Sequence, residues 1–515
     1  MAKKVTLQGF QTLNTGFPTE IPDNHFSDTL NMIRREDGLW EKRKGIKQFG
    51  ADVGSGEPIH SIRFWKTGDG DRYLTVGTDT DVYSYAEGSA YNDGTFTNRK
   101  TLGSADKWDS VVYRDILVIG NGDTGLYSST DNSTFTTRTA SSSIAAAKFL
   151  EVGNDFVSFS GIDGDPDKVV LSGGAPTNPW EFNSSNLANI DIGNADQITG
   201  MKTLGEVLVV CKTRQTYTVA LTDFGRQTID WAGGTESNRA ILQTQLNSLY
   251  IAGRQGIFDL AKTQIGNNQL FGNPESELIK SLYDLVTNYS DINGVYTFKE
   301  NYVLWNCDTQ LGRLTFLRNL DYSEPVWTLV TGINSNDWTI YQDANGNEHY
   351  LYADRNTDKV WEFLTGRNDN GAPILSRLAT KRTDLGLPGV EKRIMYADVF
   401  GYISKNAVWD VAVYRNDETL PALTYPIDKD NLTSEDDLGG LGTASLGTRP
   451  LGGLVNDVDD IEVFPFFARI PIEGDYEKIQ VILENNQADV RCILRSIVFK
   501  LEAQPDSVIP TANIL

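Results

Sequence analysis

Cysteine and histidine are scarce in this chain of 515 residues, with three of each. Cys211, Cys307 and Cys492 lie far apart without a pair motif, which excludes a disulfide framework and points to a reducing compartment. His25, His60 and His349 are equally isolated, and no spacing of histidines and acids suits a metal centre. Apolar runs stay well short of the roughly 18 residues a membrane helix needs, so no span is expected. Met1 to Phe10 lacks the apolar stretch of a signal peptide. Basic residues are outnumbered, 46 against 69 acidic, for a net charge of -23. That balance excludes a basic stripe for wrapping DNA. It suits either plain solubility or a smooth wall past which nucleic acid slides.

What the chain does contain is a rhythm. Hydrophobic residues reach 39%, enough for real cores, and 47 glycines recur with Thr, Asn and Asp between short apolar runs. From about residue 57 a phrase repeats: strand, turn, strand, Asx-Gly turn, strand ending in an aromatic. Ile59–Phe64, Arg72–Gly77, Val82–Tyr85 and the run around Phe96 make one unit. Ser110–Tyr113, Ile116–Ile119 and Leu126-Tyr127 begin the next, and five further units follow to Phe363. A four-stranded sheet cannot bury both apolar faces alone, but sheets stacked about an axis cover one another. The pattern predicts an all-β fold, a β-propeller of six or seven blades over 57–370, although packed sandwiches would give many of the same local signals. Pro274–Asn288, with Leu278, Ile279, Leu282 and Leu285 at helical spacing, predicts a short helix inserted between blades. Residues 371–515 read as a second β domain, a sandwich or jelly-roll-like module. Within it the Leu/Gly-rich loop 436–456 carries Leu438, Leu441 and Leu446, either as a mobile surface loop or as apolar hooks for a neighbouring subunit. Residues 1–56 read as an extended arm. Its cluster Lys42, Arg43 and Lys44 is a solvated turn or a contact with an acidic neighbour or DNA.

Catalytic chemistry finds no positive argument. There is no Gly-x-Ser-x-Gly elbow and no phosphate-binding loop, and no carboxylate pair is nominated by spacing. Asp163, Asp165 and Asp167 form a turn that either binds a cation weakly or is simply a turn; the twelve-residue calcium loop is not completed. The expectation is therefore a structural protein, neither an enzyme nor a holder of a cofactor. The alternatives left open are a polysaccharide-active propeller enzyme, a propeller interaction scaffold and a minor capsid protein.

The arm carries a resemblance. Phe17-Pro18-Thr19-Glu20-Ile21-Pro22, then Asn31-Met32, then Gly38-Leu39-Trp40-Glu41-Lys42-Arg43-Lys44-Gly45 resembles the opening of tailed-phage connector and tail proteins. Ala379 to Gly386, leading to Lys392, is similar to the entrance of their platform-like β domains. The layout as a whole resembles the tail nozzle (tail tubular protein B-like) and packaged-DNA stabilisation proteins of short-tailed phages. The chain is shorter than the larger nozzle proteins, which leaves its station in the tail open. The resemblance implies a virion tail protein assembled in the host cytoplasm: a homo-oligomer, a hexameric ring around the DNA exit channel. It implies an adaptor or portal-side ring above, tail fibre or needle components nearby, and DNA that is retained and then passes without sequence-specific binding. On this expectation Asn31, Lys42, Arg43, Lys44, Leu438, Leu441 and Leu446 are intersubunit contacts.

Overall fold

The short apolar runs of the sequence become β-strands whose buried residues face one another across small sheets. The computed structural model describes residues 2–8, 10–16, 21–87, 91–102, 107–123, 125–138, 146–173, 182–190, 196–221, 225–229, 233–245, 248–260, 274–386, 389, 391–428 and 463–502. The chain divides into two compact units. Met1–Ile46, Asp321–Val330 and Thr365–Leu515 form unit 1, and Lys47–Leu320 with Thr331–Leu364 form unit 2.

Unit 2 is a β-propeller of seven blades. Blade 1 is Ser61–Lys66, Arg72–Gly77, Asp81–Ala86 and Thr95–Thr101, each strand antiparallel to the next. Blades 2, 3 and 4 repeat this meander from the inner strands Asp109–Tyr113, Ala147–Gly153 and Ile198–Leu204. Blade 5 has Ile241–Gln243, Leu249–Gly253 and Gly256–Asp259. Blade 6 begins with Val286–Thr297, Tyr302–Thr309 and Gly312–Asn319. Blade 7 has Ser335–Gln342, Glu348–Asp354 and Val360–Phe363, and the strand Ile46–Phe49 from ahead of blade 1 completes its sheet. The inner strands touch in order from blade 1 to blade 7, and blade 7 touches blade 1 again, so the cycle closes.

Apolar cores lie between neighbouring blades rather than inside any one of them. Val111 and Tyr113 of blade 2 cluster with Leu150, Val157 and Phe159 of blade 3. Val169 and Leu171 of blade 3 cluster with Met201, Leu208 and Val210 of blade 4. Where blades 1 and 2 meet, the ring of Trp108 lies against Gly77 so closely that any Cβ there would overlap it. At the closing junction Phe49, Ile62, Val76, Tyr341 and Leu351 share one cluster, drawn from blades 1 and 7 and the added strand. At about 25 cal/mol per Å² of apolar surface, such shared burial stabilises a small sheet that is marginal alone.

Unit 1 is a two-sheet β-sandwich. One sheet runs Met32–Arg34, Trp40–Lys42, Cys492–Glu502, Lys392–Ser404, Val463–Tyr476, with Ala2–Gln8 also paired to Cys492–Glu502. In the other, Phe26–Leu30 lies between Val326–Val330 and Ile374–Thr380, followed by Ile479–Gln487, Trp409–Arg415 and Leu423–Ile427. Trp40, Val399 and Phe499 of the first sheet and Phe26, Val411 and Val481 of the second belong to one core.

Three expectations change, and a fourth lies outside the described residues. Residues 1–56 are not a separate arm: the stretch up to Ile46 supplies strands to the sandwich, and Ile46–Phe49 supplies one to the propeller. The second domain does not begin at 371 but is assembled from three stretches, Asp321–Val330 among them. The helix is shorter than its apolar spacing suggests, a 3-10 turn Glu275–Ile279 running into Lys280–Tyr283. It ends because Val286 opens the inner strand of blade 6. Loop 436–456, with Leu438, Leu441 and Leu446, lies outside the described residues.

Candidate functional site

Two places in the molecule concentrate polar chemistry, one in each unit. In unit 2 it is the propeller axis. A cavity of about 840 Å³ opens there, lined from blades 2, 3, 4 and 6 and the segments leading into blades 1 and 5. Its floor is a lattice of side chains crossing the axis. Arg239, in the 3-10 turn Asn238–Ala240 ahead of blade 5, reaches the opposite side. It donates to the His60 carbonyl at 2.7 Å, the Ser61 Oγ at 2.6 Å, the Trp108 carbonyl at 3.1 Å and the Asn336 carbonyl at 2.9 Å. Its Nε also lies 3.4 Å from Asp337 Oδ1. One arginine from blade 5 therefore ties blades 7, 1 and 2.

Carboxylates at the inner strands do the complementary work. Asp109 Oδ2 accepts from Asn238 Nδ2 at 2.8 Å and from the Leu150 amide of blade 3 at 3.0 Å. Asp337 accepts from the Ile62 amide of blade 1 at 3.0 Å. Burial pushes the Asp337 carboxyl up in spite of Arg239. The inner strand of blade 6 shifts register between Asn288 and Asn293, which takes Asp291 out of the ladder. Asp291 then meets Lys107 Nζ at 2.5 Å and Arg355 Nη2 at 2.9 Å, and Arg355 continues to Asp308 at 2.7 Å. Burial alone would raise Asp291, but the Lys107 hydrogen bond with Arg355 and Arg313 nearby holds its carboxyl below the usual range. Burial likewise pulls Lys107 down, and pulls His60 down even though Asp79 is its partner.

The second place is in unit 1, where the residues of the arm resemblance gather. Asn31 adopts a left-handed backbone (φ 54), a conformation asparagine tolerates better than most side chains. Its Nδ2 donates to the Leu375 carbonyl at 2.7 Å, and its Oδ1 accepts from Arg43 Nε at 2.8 Å. Arg43 is buried and forks onto Asp369 at 2.9 and 2.6 Å, with another bond to the Lys44 carbonyl. Lys42 Nζ donates to Asn485 Oδ1 and the Gln487 carbonyl, both at 2.6 Å, and burial pulls its pKa down to about 8. Glu41 gathers Arg35, Arg367 and Arg491. Gly45 lies so near the Asn368 backbone that a Cβ would collide with its carbonyl. Around it the chain leaving for the propeller and the chain returning are bonded together: Gly45 N to Gly366 O at 3.0 Å, Ile46 N to Asn368 O at 3.1 Å, Thr365 N to Gly45 O at 3.1 Å.

Asn31, Lys42 and Arg43, expected at intersubunit contacts, are thus buried in the chain's own sandwich, with Lys44 half-buried beside them. Of the proposed cation turn, Asp165 pairs with Lys168 at 2.5 Å and Asp167 with the buried Lys212 at 2.8 Å, while Asp163 lines the axial cavity. Among the described residues no group of three or more His, Cys, Asp or Glu is placed to hold a metal ion. The axial lattice escaped the sequence reading. Its local signal was an aspartate entering two of the inner strands, in Trp108-Asp109-Ser110 and Asn336-Asp337-Trp338.

No family model matches the chain, and no curated protein matches it. Solved structures similar to it include the Pan2 WD40 domain of Neurospora crassa, at 12% identity and TM-score 0.39, covering 63% of this chain and 98% of that one. The WD40 propeller domain of Doa1 is 9% identical with TM-score 0.38, over 62% of this chain and 96% of its own. The computationally designed Ika8 protein is 11% identical with TM-score 0.37, over 62% and 100%. The propeller assignment itself stands on the strand pairings and the closed cycle of inner strands. Among the described residues no helix is long and apolar enough to cross a membrane.

Proposed function

We propose that this chain is a structural virion protein of a short-tailed phage tail, a nozzle or hub ring around the DNA exit path that retains the packaged genome until ejection. The observation that carries this reading is the fate of the arm motif. Of the residues of the resemblance, Asn31, Arg43 and Gly45 brace the segment at Ile46 against Asp369 and the stretch 365–368, and Lys42 is bonded to Asn485 and Gln487 of the sandwich. The axial charges support a scaffold as well, because Arg239, Asp337, Lys107 and Asp291 are engaged with one another instead of converging on an open reaction centre. A net charge of -23 fits a wall that DNA passes without adhering. The partners on this reading are further copies of the chain in a hexamer, an adaptor or portal-side ring, and fibre or needle components.

Negative-stain microscopy of the purified protein, alone and mixed with candidate portal-side rings, tests the reading. Six-fold rings with a central hole are expected. Monomers under every condition, with or without the neighbouring ring, would refute it.

A further inference from the structure

We infer that the axial cavity of the propeller binds a neutral, polyhydroxylated ligand, a short oligosaccharide. The inference rests on unit 2 alone and holds whether or not the chain forms a ring. Most charges at the cavity are taken: Lys107 by Asp291, Arg239 by Asp337, Asp109 by Asn238, Glu236 by Arg254 and His60 by Asp79. Lys148 and Asp163, both from blade 3, line the cavity and engage no other side chain among the described residues. Lys148 is nevertheless held in place. Cβ atoms at Gly122 and Gly161 would stand 3.0 and 2.8 Å from its own Cβ, and both glycines take positive φ, so its stem rises between two backbones. Gln197 and the half-buried ring of Phe149 complete this side.

One available ammonium, one available carboxylate and a side-chain amide define what fits. A carboxylate or phosphate ligand only accepts, and it would face Asp163, Glu236 and Asp291 together. A cationic ligand only donates, and it would face Lys148, Lys107 and Arg239. A hydroxyl donates and accepts at once, so a vicinal diol satisfies Asp163, Lys148 and Gln197 without adding charge, while Phe149 offers an apolar surface to the C–H face of a sugar ring. A volume of about 840 Å³ accommodates a ligand of two or three sugar units.

Saturation-transfer NMR and calorimetry on the full chain test this with three neutral probes: maltotriose, cellotriose and triacetylchitotriose. Sialyllactose, the deacetylated chitosan trimer and glycylglycine serve as anionic, cationic and zwitterionic counterparts. At least one neutral probe should bind at a single site and more tightly than any charged one. Lys148→Met and Asp163→Ala should each raise its Kd about tenfold or more. Both side chains are exposed, so melting temperatures should hold; Gln197→Ala supplies the same readout should either variant misfold. No binding of any neutral probe at millimolar concentration, tighter binding of a charged probe, or binding indifferent to these substitutions would overturn the inference.

Discussion

Replacing Arg239 by methionine removes a guanidinium that ties three blades across the propeller axis while keeping much of the aliphatic stem. The loss is large because the contacts are concentrated. Four hydrogen bonds end on groups of blades 1, 2 and 7, and the buried Asp337 carboxylate loses its nearest cation. Breaking a buried pair by removing one partner typically costs about 3–5 kcal/mol. Water entering from the cavity re-satisfies some of the carbonyls, which places the expectation at the low end, about 3 kcal/mol. Hydrogen exchange of the inner-strand amides in Ser61–Lys66 and Asp109–Tyr113 reads this locally: 3 kcal/mol is a loss of protection of roughly 150-fold. Adding Asp337→Asn removes the stranded charge, so the double variant should recover part of the deficit. The pH dependence has a definite sign. With its folded pKa raised further above the unfolded value, Asp337 binds its proton more readily in the native state, so the deficit of the single variant shrinks as pH falls and grows as pH rises. A loss of protection below about fivefold, roughly 1 kcal/mol, or strict additivity of the two substitutions, would refute the idea that Arg239 ties the blades.

Three further outcomes follow from the same reasoning. Gly45→Ala should cost about 1–3 kcal/mol or more through collision with the Asn368 carbonyl, seen as a lower melting temperature; an unchanged melt would refute the close approach. Lys42, with a folded pKa of about 8 against 10.5, releases its proton first in the native state, so stability relative to Lys42→Met should rise by up to about 3 kcal/mol between pH 8 and 10.5. Denaturant titrations that run parallel across that window would exclude a buried ammonium. Burial pushes the Cys211 and Cys492 thiols up to about 12 and Cys307 up as well, so the native protein should resist iodoacetamide at pH 8 and take up three equivalents once unfolded. Rapid native alkylation would contradict the buried positions.

The blades were legible in the sequence because each is a local object. Its strands alternate over a few dozen residues, and its turns carry their own Gly, Asn and Asp. The closing strand was not, because the apolar residues of Ile46–Phe49 find their partner in Val360–Phe363, far along the chain, and no local pattern announces it. The same separation hid the role of Lys42 and Arg43. Read alone, three consecutive basic residues belong in water; Asp369, Asn485 and Gln487 are what allow two of them inside. The helix was overextended because Leu282 and Leu285 fit a helical period, whereas Val286 already belongs to a strand.

The pairing of Ala2–Gln8 with Cys492–Glu502 has a consequence for biosynthesis. Ala2–Gln8 leaves the ribosome long before its partner Cys492–Glu502 does. At roughly 5–20 residues per second, translation keeps it waiting for about half a minute or longer. All seven blades can be complete within that interval, while the sandwich still lacks the strands from Ile374 onward. A nascent chain arrested once residue 364 has cleared the ribosome should therefore hold a protease-resistant propeller preceded by a stretch around Ala2–Gln8 that is cut at once, and synthesis through Glu502 should abolish that cleavage.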